Sequence, residues 1–121
     1  MDDDYRQANA IELAILRKLL EVDFPGRDRL SEQLHGLQVK TIDEEGSLSL
    51  RVAPHLVPAD LQKRIVAEGY YTDADASPAD LLHVHVLLHV VDGFLAEMEI
   101  YKDDGSAIIK PPAAEDLILE P

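Results

Sequence analysis

Every even position from Leu82 to Val90 is aliphatic, and histidines stand at 83, 85 and 89, the period-two pattern of a strand with one buried face. After Val91-Asp92-Gly93 the alternation resumes, with Phe94, Ala96, Met98 and Ile100 apolar and Glu97 and Glu99 between them. Asp-Gly between two such runs predicts a hairpin. A two-residue loop would pair Val91 with Phe94 and set Val86 against Glu99 and Leu88 against Glu97. A three-residue loop with Gly93 in the left-handed conformation pairs Val90 with Phe94, Leu88 with Ala96, Val86 with Met98 and Val84 with Ile100. Burying each large apolar side chain is worth roughly 1.5 to 3 kcal/mol, more than the choice of turn, so the three-residue loop is expected. The other face then sets His83 against Tyr101, His85 against Glu99, Leu87 against Glu97 and His89 against Leu95. Asp103-Asp104-Gly105 predicts a further turn and a third strand over residues 106–110, with Ile108 opposite Ile100. The unit reads as a C-terminal β-meander.

Upstream, residues 5–22 read as an amphipathic helix with Ile11, Ala14, Ile15, Lys18, Leu19 and Val22 at helical spacing, widened by Leu16 and Leu20, and ended by Phe24-Pro25-Gly26. Asp28 is placed to cap a short second helix that runs to His35 and stops at Gly36. Residues 37–42 and 47–52 read as a second hairpin around Asp43-Glu44-Glu45-Gly46. Between Ala53 and Ser77 the pattern supports a short helix over residues 59–68 followed by an irregular or extended segment, with an extended reading through Tyr70 and Tyr71 as its competitor. Ser77-Pro78-Ala79-Asp80 has the form of a helix N-terminus. Beyond Pro111-Pro112, residues 117–119 read as a last strand or edge. The expected fold class is α+β: one domain over residues 1–121, with the N-terminal helix packed on one face of a mainly antiparallel sheet.

Charge narrows the partners. Twenty-four acidic against eleven basic residues give a formal net charge of −13, which argues against binding to nucleic acid or to anionic membrane, both of which need clustered Lys and Arg. A basic protein partner is the complementary expectation, and solubility is the competing explanation of the acidity. There is no cysteine, which removes disulfides and thiolate chemistry. An acidic N-terminus and the lack of a long apolar run point to the cytoplasm.

The candidate chemistry lies on the polar face of the C-terminal hairpin. His83 and His85 project together, and the expected register brings Glu99 opposite His85, a set of donors that can hold zinc. The competing and preferred reading is a solvated sheet face, so no cofactor is expected. Asp73-x-Asp75-x-Ser77 lacks the central glycine and terminal glutamate of a calcium loop. Glu97 and Glu99 stand side by side rather than across a cleft, as glycosidase chemistry would require. No nucleophile elbow or phosphate-binding glycine loop is present, so an enzyme is the less favoured class. The partner-binding candidates are the acidic turns: Asp43, Glu44 and Glu45; Asp73 and Asp75; Asp103 and Asp104. A homodimer through an exposed sheet edge is the other association considered.

The hairpin from Leu87-Leu88-His89-Val90-Val91-Asp92-Gly93 through Glu97-Met98-Glu99-Ile100-Tyr101 to Asp103-Asp104-Gly105-Ser106 resembles small uncharacterised bacterial proteins with a C-terminal module of this form. The resemblance also takes in Asp23-Phe24-Pro25-Gly26 and the loop from Asp73 to Asp75. It implies a domain of unknown function of immunity-protein-like character, and it carries over no catalytic residue. The function expected is therefore a non-enzymatic protein-interaction or regulatory module. A metal-binding protein or hydrolase working from the His and Glu face is the alternative.

Overall fold

The computed structural model describes residues 4–74, 77 and 82–120. Strand β1 (Arg6–Gln7) is followed by helices α1 (Ala10–Leu19) and α2 (Arg27–Glu32). Five strands come next, β2 (Gln38–Thr41), β3 (Leu48–Arg51), β4 (Ile65–Thr72), β5 (His83–Val91) and β6 (Phe94–Lys102), before a 3-10 turn and β7 (Ile118–Glu120). The strands form one antiparallel sheet in the order β1-β2-β3-β6-β5-β4-β7. The α+β class is as expected, and β4-β5-β6 is a strand-rich meander.

Helix α1 is shorter than its apolar stripe. Asn9 caps it: the Asn9 Oδ1 accepts from the Glu12 amide at 2.8 Å, while the Asn9 amide donates to Glu12 Oε1 at 2.9 Å. Arg6 clasps the same Glu12 carboxylate through two bonds of 2.8 and 2.7 Å, so the chain before Asn9 joins β2 as an edge strand instead of extending the helix. Ile11, expected inward, is exposed. The buried face is Ile15, Leu16, Leu19 and Leu20, packed with Leu30 and Leu34 against Val39, Leu48, Val84, Val86, Leu88 and Met98 of the sheet. Asp28 does not cap α2, whose N-cap position is Gly26 in the left-handed conformation with no side-chain cap bond.

The hairpin turn differs from the expectation. Val91 pairs with Phe94 across a two-residue turn in which Asp92 (φ 53°) and Gly93 (φ 82°) are both left-handed, the combination that suits the strand twist. The face conflict that argued against this turn is removed inside β6. Val90 pairs with Leu95 but His89 pairs with Glu97, so Ala96 is an extra, unpaired residue. Beyond that bulge Leu88 faces Met98, Val86 faces Ile100 and Val84 faces Lys102, each two residues from the expected register. Tertiary contact selects the tight turn: the Gly93 carbonyl accepts from the Ala59 amide at 2.8 Å and from Gln33 Nε2 at 3.0 Å, and a Cβ on Gly93 would stand 2.3 Å from the Ala59 oxygen.

The second hairpin, β2–β3, is as expected, and β3 then takes the free edge of β6. Residues 106–110 therefore form no strand. Their backbone groups are spent elsewhere: the amides of Ile109 and Lys110 on the Asp73 carboxylate, the Ala107 carbonyl on Lys102 Nζ, and the Lys110 carbonyl on the Tyr71 hydroxyl. The expected helix over residues 59–68 is absent. From Ile65 the chain is extended, as its β-branched and aromatic residues favour, and Gly69 leaves room for the Ile118 carbonyl of β7. The helix-start motif at Ser77-Pro78-Ala79-Asp80 lies largely outside the described residues.

Candidate functional site

The helices cover one face of the sheet and leave the other open, and the pairing of β4, β5 and β6 decides what that open face carries. Tyr70, His85 and Tyr101 form one row across the three strands; Glu68, Leu87 and Glu99 form the next. His85 stacks on Tyr101 with ring centroids 4.8 Å apart and planes 15° from parallel. Tyr70 lies 5.0 Å from the His83 ring and 6.5 Å from that of His85. Partial desolvation first, and then the carboxylates of Asp103, Glu68, Glu99 and Glu120, push the Tyr101 phenol above its ordinary value.

The expected ligand set of His83, His85 and Glu99 is not assembled. The bulge moves Glu99 opposite Leu87 and brings Tyr101 opposite His85. Asp103 takes the place expected of Glu99. Its Oδ1 lies 2.6 Å from His85 Nε2 and its Oδ2 3.9 Å from His83 Nδ1, and Oδ2 also accepts the His83 amide at 3.1 Å. The Asp103 amide in turn donates to the His83 carbonyl at 3.0 Å, so two hydrogen bonds tie Asp103 to the His83 backbone while His85 meets it through its side chain. The hydrogen bond from His85, followed by that from the His83 amide, holds the Asp103 carboxyl below its usual value.

Glu99 instead meets His89, 2.8 Å from its Nε2, with Glu97 beside them. Arg64 Nε donates to His89 Nδ1 at 3.0 Å, so Nδ1 must present its lone pair and Nε2 must carry the proton given to Glu99. Both nitrogens of this ring are thereby committed.

Of the acidic partner-binding candidates, Asp73 is buried. Both its side chain and that of Lys102 are fully enclosed, 2.8 Å apart, and the carboxylate also accepts the amides of Ala74, Ile109 and Lys110. Burial alone would raise the Asp73 carboxyl, but Lys102 and the three amides pull it far below the usual carboxylate range. The other aspartates stay exposed yet have turn duties: Asp43 accepts the Ser47 amide, and Asp104 the Ser106 amide and hydroxyl. Asp75 lies outside the described residues. Glu44 and Glu45 sit in the β2–β3 turn. Because β3 runs antiparallel to β6, that turn and Asp103-Asp104 lie at the same end of the sheet.

The sequence names Asp103 only as an acidic turn residue and not as a partner of the histidines, and it does not single out Tyr70 or Arg64, because these placements depend on the register and on strand β4. A signal did exist for Lys102, whose even position continues the buried set of Met98 and Ile100. The sheet edges open to a second copy are β1 and β7, two and three residues long. Among the described residues no helix is long and apolar enough to cross a membrane.

The fold and this face define a two-layer α+β domain with an open, histidine- and carboxylate-bearing antiparallel sheet. The chain belongs to the family described as Domain of unknown function (DUF6984), whose model matches residues 5–112. No curated protein and no solved structure matches it.

Proposed function

We propose that the chain is a non-enzymatic protein-interaction module of the bacterial cytoplasm that binds a basic protein partner, as an immunity-like protein would. The observation that supports this reading is the meeting of two acidic turns distant in sequence. The β3–β6 pairing brings Asp43, Glu44 and Glu45 to the end of the sheet occupied by Asp103 and Asp104. A carboxylate that caps a turn amide keeps its charge and most of its acceptor sites, so the turn duties of the aspartates leave the field intact. Hydrolysis from the His and Glu face has less support. The ring nitrogens of His89 are committed to Arg64 and Glu99, which leaves neither free to act as a general base.

The test is co-purification from the source cells at low and at physiological salt, where the screening length shortens to about 8 Å. A basic protein is expected to be retained at low salt, to weaken as salt rises, and to be lost with the Glu44→Lys/Glu45→Lys variant. Recovery of no basic protein, or equal recovery by that variant, would overturn the proposal.

A further inference from the structure

The geometry points to a divalent transition-metal site of the zinc class, ligated by His83, His85 and Asp103. Their donor atoms all lie within 4.8 Å of one another. In a tetrahedral zinc site with bonds of about 2.0 to 2.1 Å, neighbouring donors stand about 3.3 Å apart. The two separations between the carboxylate and the rings, 2.6 Å at Oδ1 and 3.9 Å at Oδ2, fall on either side of that spacing, so the set lies close to a ligating arrangement.

Three further features distinguish the cluster from a casual surface ion pair. Asp103 is tied to the His83 backbone by two hydrogen bonds, from the His83 amide to its carboxylate and from its own amide to the His83 carbonyl, so the ligands do not need to be gathered from flexible segments. Both rings are steadied by aromatic neighbours, His85 on Tyr101 and His83 beside Tyr70, which supply the orientation that ligating histidines ordinarily take from an outer hydrogen bond. The cluster also lies beside Asp104 and at the end of the sheet that carries the acidic β2–β3 turn, and this field concentrates cations. Two imidazoles and one carboxylate favour zinc, nickel, cobalt or copper over calcium or magnesium, which prefer oxygen donors. Three protein ligands leave a fourth position for water or for a group brought by another molecule.

The neighbouring triad of His89, Glu97 and Glu99 meets the same distance criterion and serves as an internal control. A metal there would have to displace Arg64 from His89 Nδ1 or the proton from Nε2.

The experiment titrates zinc ions alone into chelator-treated full-length protein by calorimetry, and cobalt(II) ions alone with visible absorption as the readout. The wild type is expected to bind one zinc ion per chain, with cobalt giving the intense bands of a four-coordinate site. His85→Ala and Asp103→Asn, shown to be folded by circular dichroism, should each weaken zinc binding more than about tenfold, at least what loss of an outer-shell partner costs. His89→Ala should leave it unchanged. In the wild type, cobalt should broaden the imidazole resonances of His83 and His85 before that of His89, a readout that needs no variant. Absence of stoichiometric zinc binding, binding that survives His85→Ala, or broadening that begins at His89 would overturn the assignment. None of these outcomes depends on a protein partner, so the metal site and the interaction reading fail separately.

Discussion

Removing Lys102 should destabilise the domain strongly, because it leaves the Asp73 carboxylate buried without its counter-charge. Both side chains are fully enclosed and 2.8 Å apart. Breaking a buried pair from one side costs about 3 to 5 kcal/mol. For a chain of this size each kcal/mol lowers the melting temperature by about 4 °C, so Lys102→Met should melt about 12 to 20 °C below the wild type. Asp73→Asn should also be costly, since its nitrogen would face both the Ile109 amide and the Lys102 ammonium, which share Oδ2 in the native pair. The double variant Asp73→Asn/Lys102→Met removes both charges and keeps Oδ1 for the Ala74 and Lys110 amides. It should therefore be less destabilised than the sum of the singles, with a coupling of about 2 kcal/mol or more. The pH dependence has a fixed sign. The folded carboxyl titrates below its unfolded value of about 3.9, so its stabilisation is present above that pH and is lost as the solution is acidified below it. Lys102→Met should flatten this acid limb. Thermal melts and denaturant titrations at neutral and acid pH measure all four proteins. Additive single effects, or an unchanged acid limb in Lys102→Met, would refute the reasoning.

Gly93→Ala should cost more than about 2 kcal/mol, combining a left-handed φ with a Cβ 2.3 Å from the Ala59 oxygen, whereas Gly105→Ala, equally left-handed but with open space around it, should cost about 1 to 2 kcal/mol; paired denaturant titrations compare them. Gln33→Leu strips the Val57 and Gly93 carbonyls and the Leu95 amide of their side-chain partner and should lower stability by about 3 kcal/mol, with amide exchange accelerated first at the β5–β6 turn. Val86→Asp places an unpaired charge in the core and should abolish the cooperative melt seen by circular dichroism.

Alternation located both hairpins and the buried sets Val84, Val86, Leu88 and Val90 and Met98 and Ile100, because period-two burial is a local signal. The turn between β5 and β6 was misread for a reason that is also physical. Face continuity was required of the turn alone, but a single extra residue, Ala96, restores it within the strand and frees Asp92-Gly93 to form the tight turn. That shift of two positions is why Glu99 was expected beside His85 and Asp103 was not. The start of α1 was legible in Asn9-x-x-Glu12, a capping box overshadowed by a longer apolar stripe. Residues 106–110 look like a strand by composition. What decides against it is an aspartate more than thirty residues away that takes their amides, and no local pattern reports that. The buried Gln33, whose amide joins the loop at Val57 to the β5–β6 turn, is equally silent in sequence.

The most direct test of the interaction reading is the association rate between the purified chain and the basic protein that co-purifies with it, followed across ionic strength for the wild type and for Glu44→Lys/Glu45→Lys. Electrostatic steering by the acidic end predicts a fast wild-type rate that falls steeply with salt, and a slower, nearly salt-independent rate for the charge-reversed chain. Equal rates and equal salt slopes for the two proteins would contradict it.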